Sequence, residues 1–317
     1  MMTTTQMNHA IPNADGSQRY TYDNSFKPTP AGVTRRKNGE SKSFRVKVHD
    51  GRTLSQPPSL MSNGYCLARD FVTALDLQND GLDSEKIVHT YYPEMSRLIT
   101  DALGGAEVVK GCIVFDHTIR SRVRKAKGEK ETNGENVGGY ASTAHNDNTS
   151  ESAKNRVRLL SKAKEAGGSV TLSQPPLTEE DAEKIASGRF GMFNVWRHFR
   201  KDYPVLDYPL AVLDAQSVRP EDFLNSLYLY PDRVGEVVTV VRNPEHRWIY
   251  YSEMRHNEAL IFKVFDSSSE LGVCTAEQCP PNTAHTSFRL AGSDTATPPR
   301  ESIECRVLVE FVTSSKD

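Results

Sequence analysis

A helix-patterned first half followed by a crowd of short β-rich runs predicts an α+β chain built on a β-sandwich or jelly roll, with helices packed outside it. The runs 190–197, 208–213, 236–241, 247–251, 259–265, 285–290 and 303–312 are rich in β-branched and aromatic residues, and Pro, Asp, Asn, Gly and Ser separate them. Between them there is no room for the helices that a doubly wound parallel sheet needs after each strand.

Ahead of these runs, residues 1–40 lack apolar periodicity and end in Arg35-Arg36-Lys37, which reads as a mobile N-terminal arm. The remainder, 41–317, is then a single domain; the length is high for one unit, but β-barrel enzymes reach it. Ser43-Phe44-Arg45-Val46-Lys47-Val48 alternates polar and apolar side chains and predicts a first strand. Near-helical apolar spacing predicts helices over 65–75 and 84–103. The second has Ser84 as its N-cap and Ile87, Tyr91, Met95 and Ile99 in a buried stripe, with Pro93 expected to kink or divide it. A buried strand is predicted over 106–115, leading into Asp116-His117-Thr118-Ile119-Arg120. The charged segment 121–137 reads as a solvated loop able to move over a site, and 138–149 as a strand. Residues 150–189 are polar and partly helical, with Leu177-Thr178-Glu179-Glu180-Asp181 as a helix start.

Composition narrows the function. A net charge of −2 leaves no electrostatic footprint for nucleic acid, and no apolar run approaches a membrane span. The N-terminal residues lack the apolar core of a signal peptide, so a cytoplasmic protein with small-molecule partners is expected. Five scattered cysteines, Cys66, Cys112, Cys274, Cys279 and Cys305, argue against a disulfide framework; Cys274 and Cys279 share a loop but lack the second pair of a metal site. Neither a Gly-rich strand-to-helix loop nor a G-x-S-x-G elbow is present, which counts against methyl or acyl transfer.

The chemistry concentrates at His145 and Asp147, directly after Gly138-Gly139 and a short polar stretch. On an extended strand, residues two apart point the same way, so an imidazole and a carboxylate at this spacing can grip one ion. They make two thirds of the two-His, one-carboxylate set of non-heme Fe(II) oxygenases. In a jelly roll the third ligand comes from an antiparallel neighbouring strand late in the chain, where His285 lies; His246 competes for the role. Arg300 and Ser302 follow His285 as an R-x-S arrangement suited to the distal carboxylate of 2-oxoglutarate, since a guanidinium can engage a carboxylate with two hydrogen bonds. No equivalent follows His246 apart from the isolated Arg255.

Taken together, Asn194-Val195-Trp196-Arg197, Pro209-Leu210-Ala211-Val212-Leu213-Asp214, His246-Arg247-Trp248-Ile249-Tyr250-Tyr251, the run from Glu258 to Ser267, His285-Thr286-Ser287-Phe288 and Arg300-Glu301-Ser302-Ile303-Glu304-Cys305-Arg306 resemble the fungal gibberellin-desaturase-like hydroxylase/desaturase family. That family is also linked to the cephem 7α-methoxylase components. The resemblance spans roughly residues 85–312. It implies a double-stranded β-helix, cupin-like, and an Fe(II)/2-oxoglutarate-dependent dioxygenase that hydroxylates or desaturates a small specialised metabolite with O2. His145, Asp147 and His285 would hold the iron, and Arg300, Ser302 and Arg306 the cosubstrate. Asn194, Trp196 and Arg197 would meet the substrate, with a paired structural charge as the other reading of Arg197. Two departures stand out: His198 replaces the proline that follows the Asn-x-Trp-Arg run, and Asn148-Thr149-Ser150 replaces an acidic strand. The alternative of a different class is a cupin-like accessory or binding protein without turnover.

Overall fold

The computed structural model describes residues 2–22, 37–163, 172–229, 234–268, 282–294 and 296–312. Its strands are Met2–Ile11 (β1), Arg19–Tyr22 (β2), Glu40–Asp50 (β3), Tyr65–Ala68 (β4), Val109–Ser121 (β5), His145–Asn146 (β6), Phe190–His198 (β7), Leu210–Leu213 (β8), Phe223–Leu229 (β9), Val234–Val240 (β10), Trp248–Tyr250 (β11), Ala259–Asp266 (β12), His285–Ser287 (β13) and Glu301–Phe311 (β14). They form a large sheet in the order β1-β3-β11-β8-β13-β6-β10-β9-β2 and a small one in the order β4-β12-β7-β14-β5. This is the jelly roll expected from the crowded strands of the second half. No helix among the described residues is long and apolar enough to cross a membrane.

Alternation along each strand sorts the side chains between two cores. In the small sheet, Val195, Ile119, Ile303 and Cys305 pack with Tyr91, Met95 and Ile99 of the helical layer. Their neighbours Trp196, Leu260 and Phe262 pack toward Val212 and Ile249 of the large sheet. Each of these large apolar side chains contributes on the order of 1.5–3 kcal/mol by leaving water. In the large sheet, Trp248, Tyr250 and Leu213 belong to a third cluster with Met7 and Val48, and Phe311 lies in the helix-side core.

The helices are Leu77–Asp80 (α1), Ser84–Lys86 (α2), Tyr92–Ala102 (α3), Arg122–Ala126 (α4), Ser150–Leu159 (α5) and Glu179–Ser187 (α6). The helix expected over 84–103 is capped one residue earlier, by the Asp83 side chain accepting from the Lys86 N–H. It is divided near Pro93, as expected: a π-helical turn, Ile87–Tyr91, separates α2 from α3, which carries the proline in its first turn. Thr178 caps α6 through the Asp181 N–H.

Four expectations change. The helix expected over 65–75 opens instead with β4, because β12 offers antiparallel ladder partners from Tyr65 opposite Phe262 to Ala68 opposite Ala259. Within the segment that reads as an arm, Met2–Ile11 pairs residue for residue with β3, burying Thr5, Met7 and His9 on one face; its polar composition hides this alternation. Of 138–149, only His145–Asn146 is a strand. The loop 121–137 holds α4 and is pinned by Glu131, buried, with Oε2 2.7 Å from His117 Nε2. Cys274, Cys279, Arg35 and Arg36 lie outside the described residues.

Candidate metal centre and anion pocket

His285 reaches the site because β13 lies antiparallel to β6 with His285 opposite His145. The approach to β13 is fixed upstream: the Thr283 N–H donates to the Lys263 carbonyl at 2.7 Å, and its hydroxyl to the Gly64 carbonyl at 3.0 Å. Gly64 has φ +82° and a Cβ there would lie 1.9 Å from Thr283 Oγ1, so only glycine fits. Asp147 lies just past β6. The turn that carries it is held by the fully buried Asn146, whose amide donates to Asn148 O at 2.6 Å and Val264 O at 3.0 Å.

His145, Asp147 and His285 each offer one ligand atom, all within 4.8 Å of one another. His145 Nδ1 donates to Thr143 O at 2.8 Å, which leaves the Nε2 lone pair facing the centre. Asp147 Oδ1 lies 3.5 Å from His145 Nε2 and 3.9 Å from His285 Nε2. The other carboxylate oxygen, Oδ2, accepts from Asn194 Nδ2 at 2.8 Å and lies 3.7 Å from Arg306 Nε. Burial, with His145 beside it, lowers the His285 pKa to about 3, so the ring is neutral at ordinary pH. Burial opposes charge on His145, but the Asp147 carboxylate outweighs it and raises the pKa. Burial likewise opposes ionisation of Asp147; hydrogen bonding to His145 and the charge of the Arg306 guanidinium hold it well below the usual carboxylate range. Two imidazoles and an ionised carboxylate converging in this way suit Fe(II), with the cavity side left open. That cavity, about 720 Å³, is lined by His145, Asp147, Phe115, Asp116, Tyr228 and Arg306 among others.

Beyond the metal centre, one face of the small sheet carries a ladder of polar groups. On β14, Arg306 lies opposite Asp116 and Asn194, Glu304 opposite Thr118 and Trp196, and Ser302 opposite Arg120 and His198. Arg300, just before β14, is buried; Nη1 donates to the Tyr208 carbonyl at 2.5 Å, and the guanidinium sits 4.2 Å from the Tyr140 ring and 5.3 Å from that of Trp196. Tyr208 has φ +45°, a strained conformation for a residue with a Cβ. Arg300 makes no ion pair among the described residues, and burial lowers its pKa to about 10. Among the described residues, its Nε and the buried Ser302 Oγ have no hydrogen-bond partner. A buried cation with an unused donor next to an unused hydroxyl is a cradle for an anion.

Several expected site residues lie elsewhere. His246 Nε2 is 3.0 Å from Asp222 Oδ2, and His246 is not in the His-Asp-His cluster. Arg197 points to the opposite face of β7: Nε donates to His256 O at 3.0 Å, Nη1 to Tyr91 Oη at 3.4 Å, and the guanidinium packs 4.7 Å from the Phe71 ring. Its guanidinium thus lies on the face of β7 opposite to Asn194 and Trp196, as its odd offset from both requires. Asn194 contacts Asp147, and Trp196, 1% exposed, backs Arg300. Asn146, Tyr140 and Tyr208 escaped sequence reasoning, because nothing local marks a buried turn amide or a carbonyl aimed at a distant guanidinium.

The family model described as an oxidoreductase/YMDC permease-like domain matches residues 7–310. Among known proteins, the chain is 27% identical over 288 residues to the Fe(II)/2-oxoglutarate-dependent dioxygenase nvfI of Aspergillus novofumigatus, covering 90% of this chain and 89% of that protein. It is 26% identical over 281 residues to the hydroxylase/desaturase efuI of Hormonema carpetanum, covering 83% and 82%. The hydroxylase/desaturase CTB9 of Cercospora beticola is 36% identical over 143 residues, 42% of this chain and 40% of that protein. The solved structure of the W199F variant of the iron and alpha-ketoglutarate-dependent endoperoxidase NvfI superposes with a TM-score of 0.75 at 24% identity, covering 99% of this chain and 98% of that one. These relatives bear out the resemblance to the hydroxylase/desaturase family. The family match begins inside β1 and ends inside β14, and the chain belongs to the oxidoreductase/YMDC permease-like domain family.

Proposed function

We propose that the chain is an Fe(II)/2-oxoglutarate-dependent dioxygenase that hydroxylates or desaturates a small specialised metabolite. The observation that carries this reading is the convergence of His145, Asp147 and His285 within 4.8 Å, together with a buried arginine, Arg300, that has no carboxylate partner among the described residues. His145, Asp147 and His285 hold the iron. Arg300 and Ser302 anchor the distal carboxylate of 2-oxoglutarate, with Nε and Oγ as donors that have no partner among the described residues. When bound, iron, 2-oxoglutarate and O2 supply the oxidising chemistry; the protein orients and encloses.

Each side chain has a definite task in that division. The neutral His285 ring keeps its lone pair available, and the Thr143 carbonyl keeps His145 in the tautomer that presents Nε2. Tyr140 and Trp196 flank the Arg300 guanidinium, and the Tyr208 carbonyl fixes one of its nitrogens so that the rest of the fork is already aimed. Asn194 and Trp196 thus serve the iron carboxylate and the anchor. Substrate contacts fall to the cavity wall, where Phe115 and Tyr228 stand among hydroxyl-bearing residues. Hydroxylase, desaturase and endoperoxidase appear among the relatives' names, so the outcome turns on how the substrate C–H bond is presented.

Succinate release from 2-oxoglutarate with Fe(II), ascorbate, O2 and an extract of candidate metabolites tests the reading. Release from the native chain and none from His145→Ala is expected. Equal release from both, or none from the native chain, removes it, the latter in favour of a non-catalytic accessory protein.

A further inference from the structure

Arg306 reads from sequence as a cosubstrate contact, yet its surroundings differ from those of Arg300. Its Nη1 lies 2.7 Å from Asp116 Oδ2 and 3.3 Å from Thr118 Oγ1, its Nε 3.7 Å from Asp147 Oδ2, and its Nη2 3.9 Å from Glu304 Oε1. Each nitrogen of the fork therefore faces a different carboxyl group. An incoming carboxylate would have to displace Asp116 from its hydrogen bond, whereas at Arg300 no carboxylate among the described residues stands in its way.

We propose that Arg306, braced by Asp116, is a positioning residue that holds the iron carboxylate of Asp147 with Oδ1 toward the metal, acting with Asn194 and not as a cosubstrate contact. This rests on the iron-site reading above. A carboxylate has two oxygens, and their surroundings here are sharply divided. Oδ1 faces both imidazoles, at 3.5 and 3.9 Å, while Oδ2 takes the Asn194 amide at 2.8 Å and faces the Arg306 guanidinium. Swapping the oxygens by rotation would carry the ligating atom onto donors that compete with the metal for its lone pairs. The brace comes from another strand: Asp116 on β5 and Asn194 on β7 flank Arg306 on β14 in register, so three adjacent strands set one carboxylate. Lysine cannot replace the fork, because its single ammonium cannot span three acceptors held this far apart. Asp147 itself follows a strand of only two residues, so its orientation depends on these contacts more than on its own ladder.

Partners that orient a metal ligand typically change metal affinity by about 10–100-fold when removed. The test uses full-length protein stripped of metal, with Co(II) as the probe, followed by calorimetry and by the visible absorption of bound Co(II). 2-Oxoglutarate binding is then measured at saturating Co(II). Arg306→Gln is expected to weaken Co(II) about 10–100-fold and to alter the absorption envelope, while 2-oxoglutarate affinity stays within about threefold. Arg306→Lys should recover only part of the loss. Arg300→Gln should show the reverse pattern, with Co(II) affinity kept and 2-oxoglutarate affinity lost. Asp116→Asn keeps the arginine but removes its brace, and should weaken Co(II) in the same direction even if Arg306→Gln does not fold. Unchanged Co(II) affinity in both Arg306→Gln and Asp116→Asn, or a loss of 2-oxoglutarate affinity in Arg306→Gln matching that of Arg300→Gln, overturns the proposal. A native chain that binds no Co(II) overturns the iron-site reading itself.

Discussion

The two sheets contribute to the site in opposite ways. In the small sheet, β7 and β12 are buried along their whole length, and β14 is a strand of 11 residues paired on both sides. In the large sheet, the histidines ride on β6 and β13, strands of two and three residues. Such short ladders hold few hydrogen bonds of their own. The metal-facing groups are instead fixed by the long strands opposite: Asn146 donates to the β12 carbonyl of Val264, Asn194 of β7 holds Asp147, and the Phe262 ring packs 4.7 Å from that of His285. The lesson is that the candidate ligands come from one sheet and their precision from the other.

This contrast can be attacked at each sheet. The largest effect is expected in the large sheet. His285→Ala should abolish metal retention, whereas His246→Ala, which removes a side chain bound to Asp222, should leave metal binding intact and cost only stability. Metal content after gel filtration distinguishes them, and retention by His285→Ala would reverse the assignment.

A smaller effect tests how dry the long-stranded sheet is. Burial lowers the pKa of His198 from 6.5 to about 4. Below pH 6.5 the unfolded chain takes up a proton that the folded chain refuses, so this group costs nothing above pH 6.5 and destabilises increasingly as pH falls toward 4. Between pH 7.5 and 4.5, denaturant melts of the metal-free native chain should lose about 2–3 kcal/mol more than those of His198→Gln. Equal losses would mean that water reaches this end of β7.

The smallest expected effect concerns the link between the sheets. Asn146→Ala removes both amide hydrogen bonds and leaves the buried Val264 carbonyl without this donor, a cost of about 1–3 kcal/mol in unfolding free energy. If that variant also loses metal affinity, the turn carries precision to Asp147. If stability alone falls, the contribution of the small sheet passes through Asn194.

Much of this was legible before any coordinates. Short runs rich in β-branched residues mark β7, β8, β10 to β14 and β3, because a half-buried strand needs those side chains whatever lies next to it. The His-x-Asp pair and the later His285 likewise come together in three dimensions. Less visible was the strand Met2–Ile11, whose Thr5, Met7 and His9 alternate without looking apolar, and β4, whose tendency toward helix is overruled by its pairing with β12.

Side-chain parity is a local property, so the chain alone already dictates that Arg197 cannot share a face with Asn194 and Trp196, and that Arg306, Glu304 and Ser302 must share one. Which strands lie side by side is not local. The register that sets Arg306 between Asp116 and Asn194, and His285 beside His145, joins residues more than a hundred positions apart, and it is settled by packing two sheets over one core. That is why the chemical types at the site could be named in advance, while the different surroundings of Arg300, just before β14, and Arg306, within it, emerged only from the assembled fold.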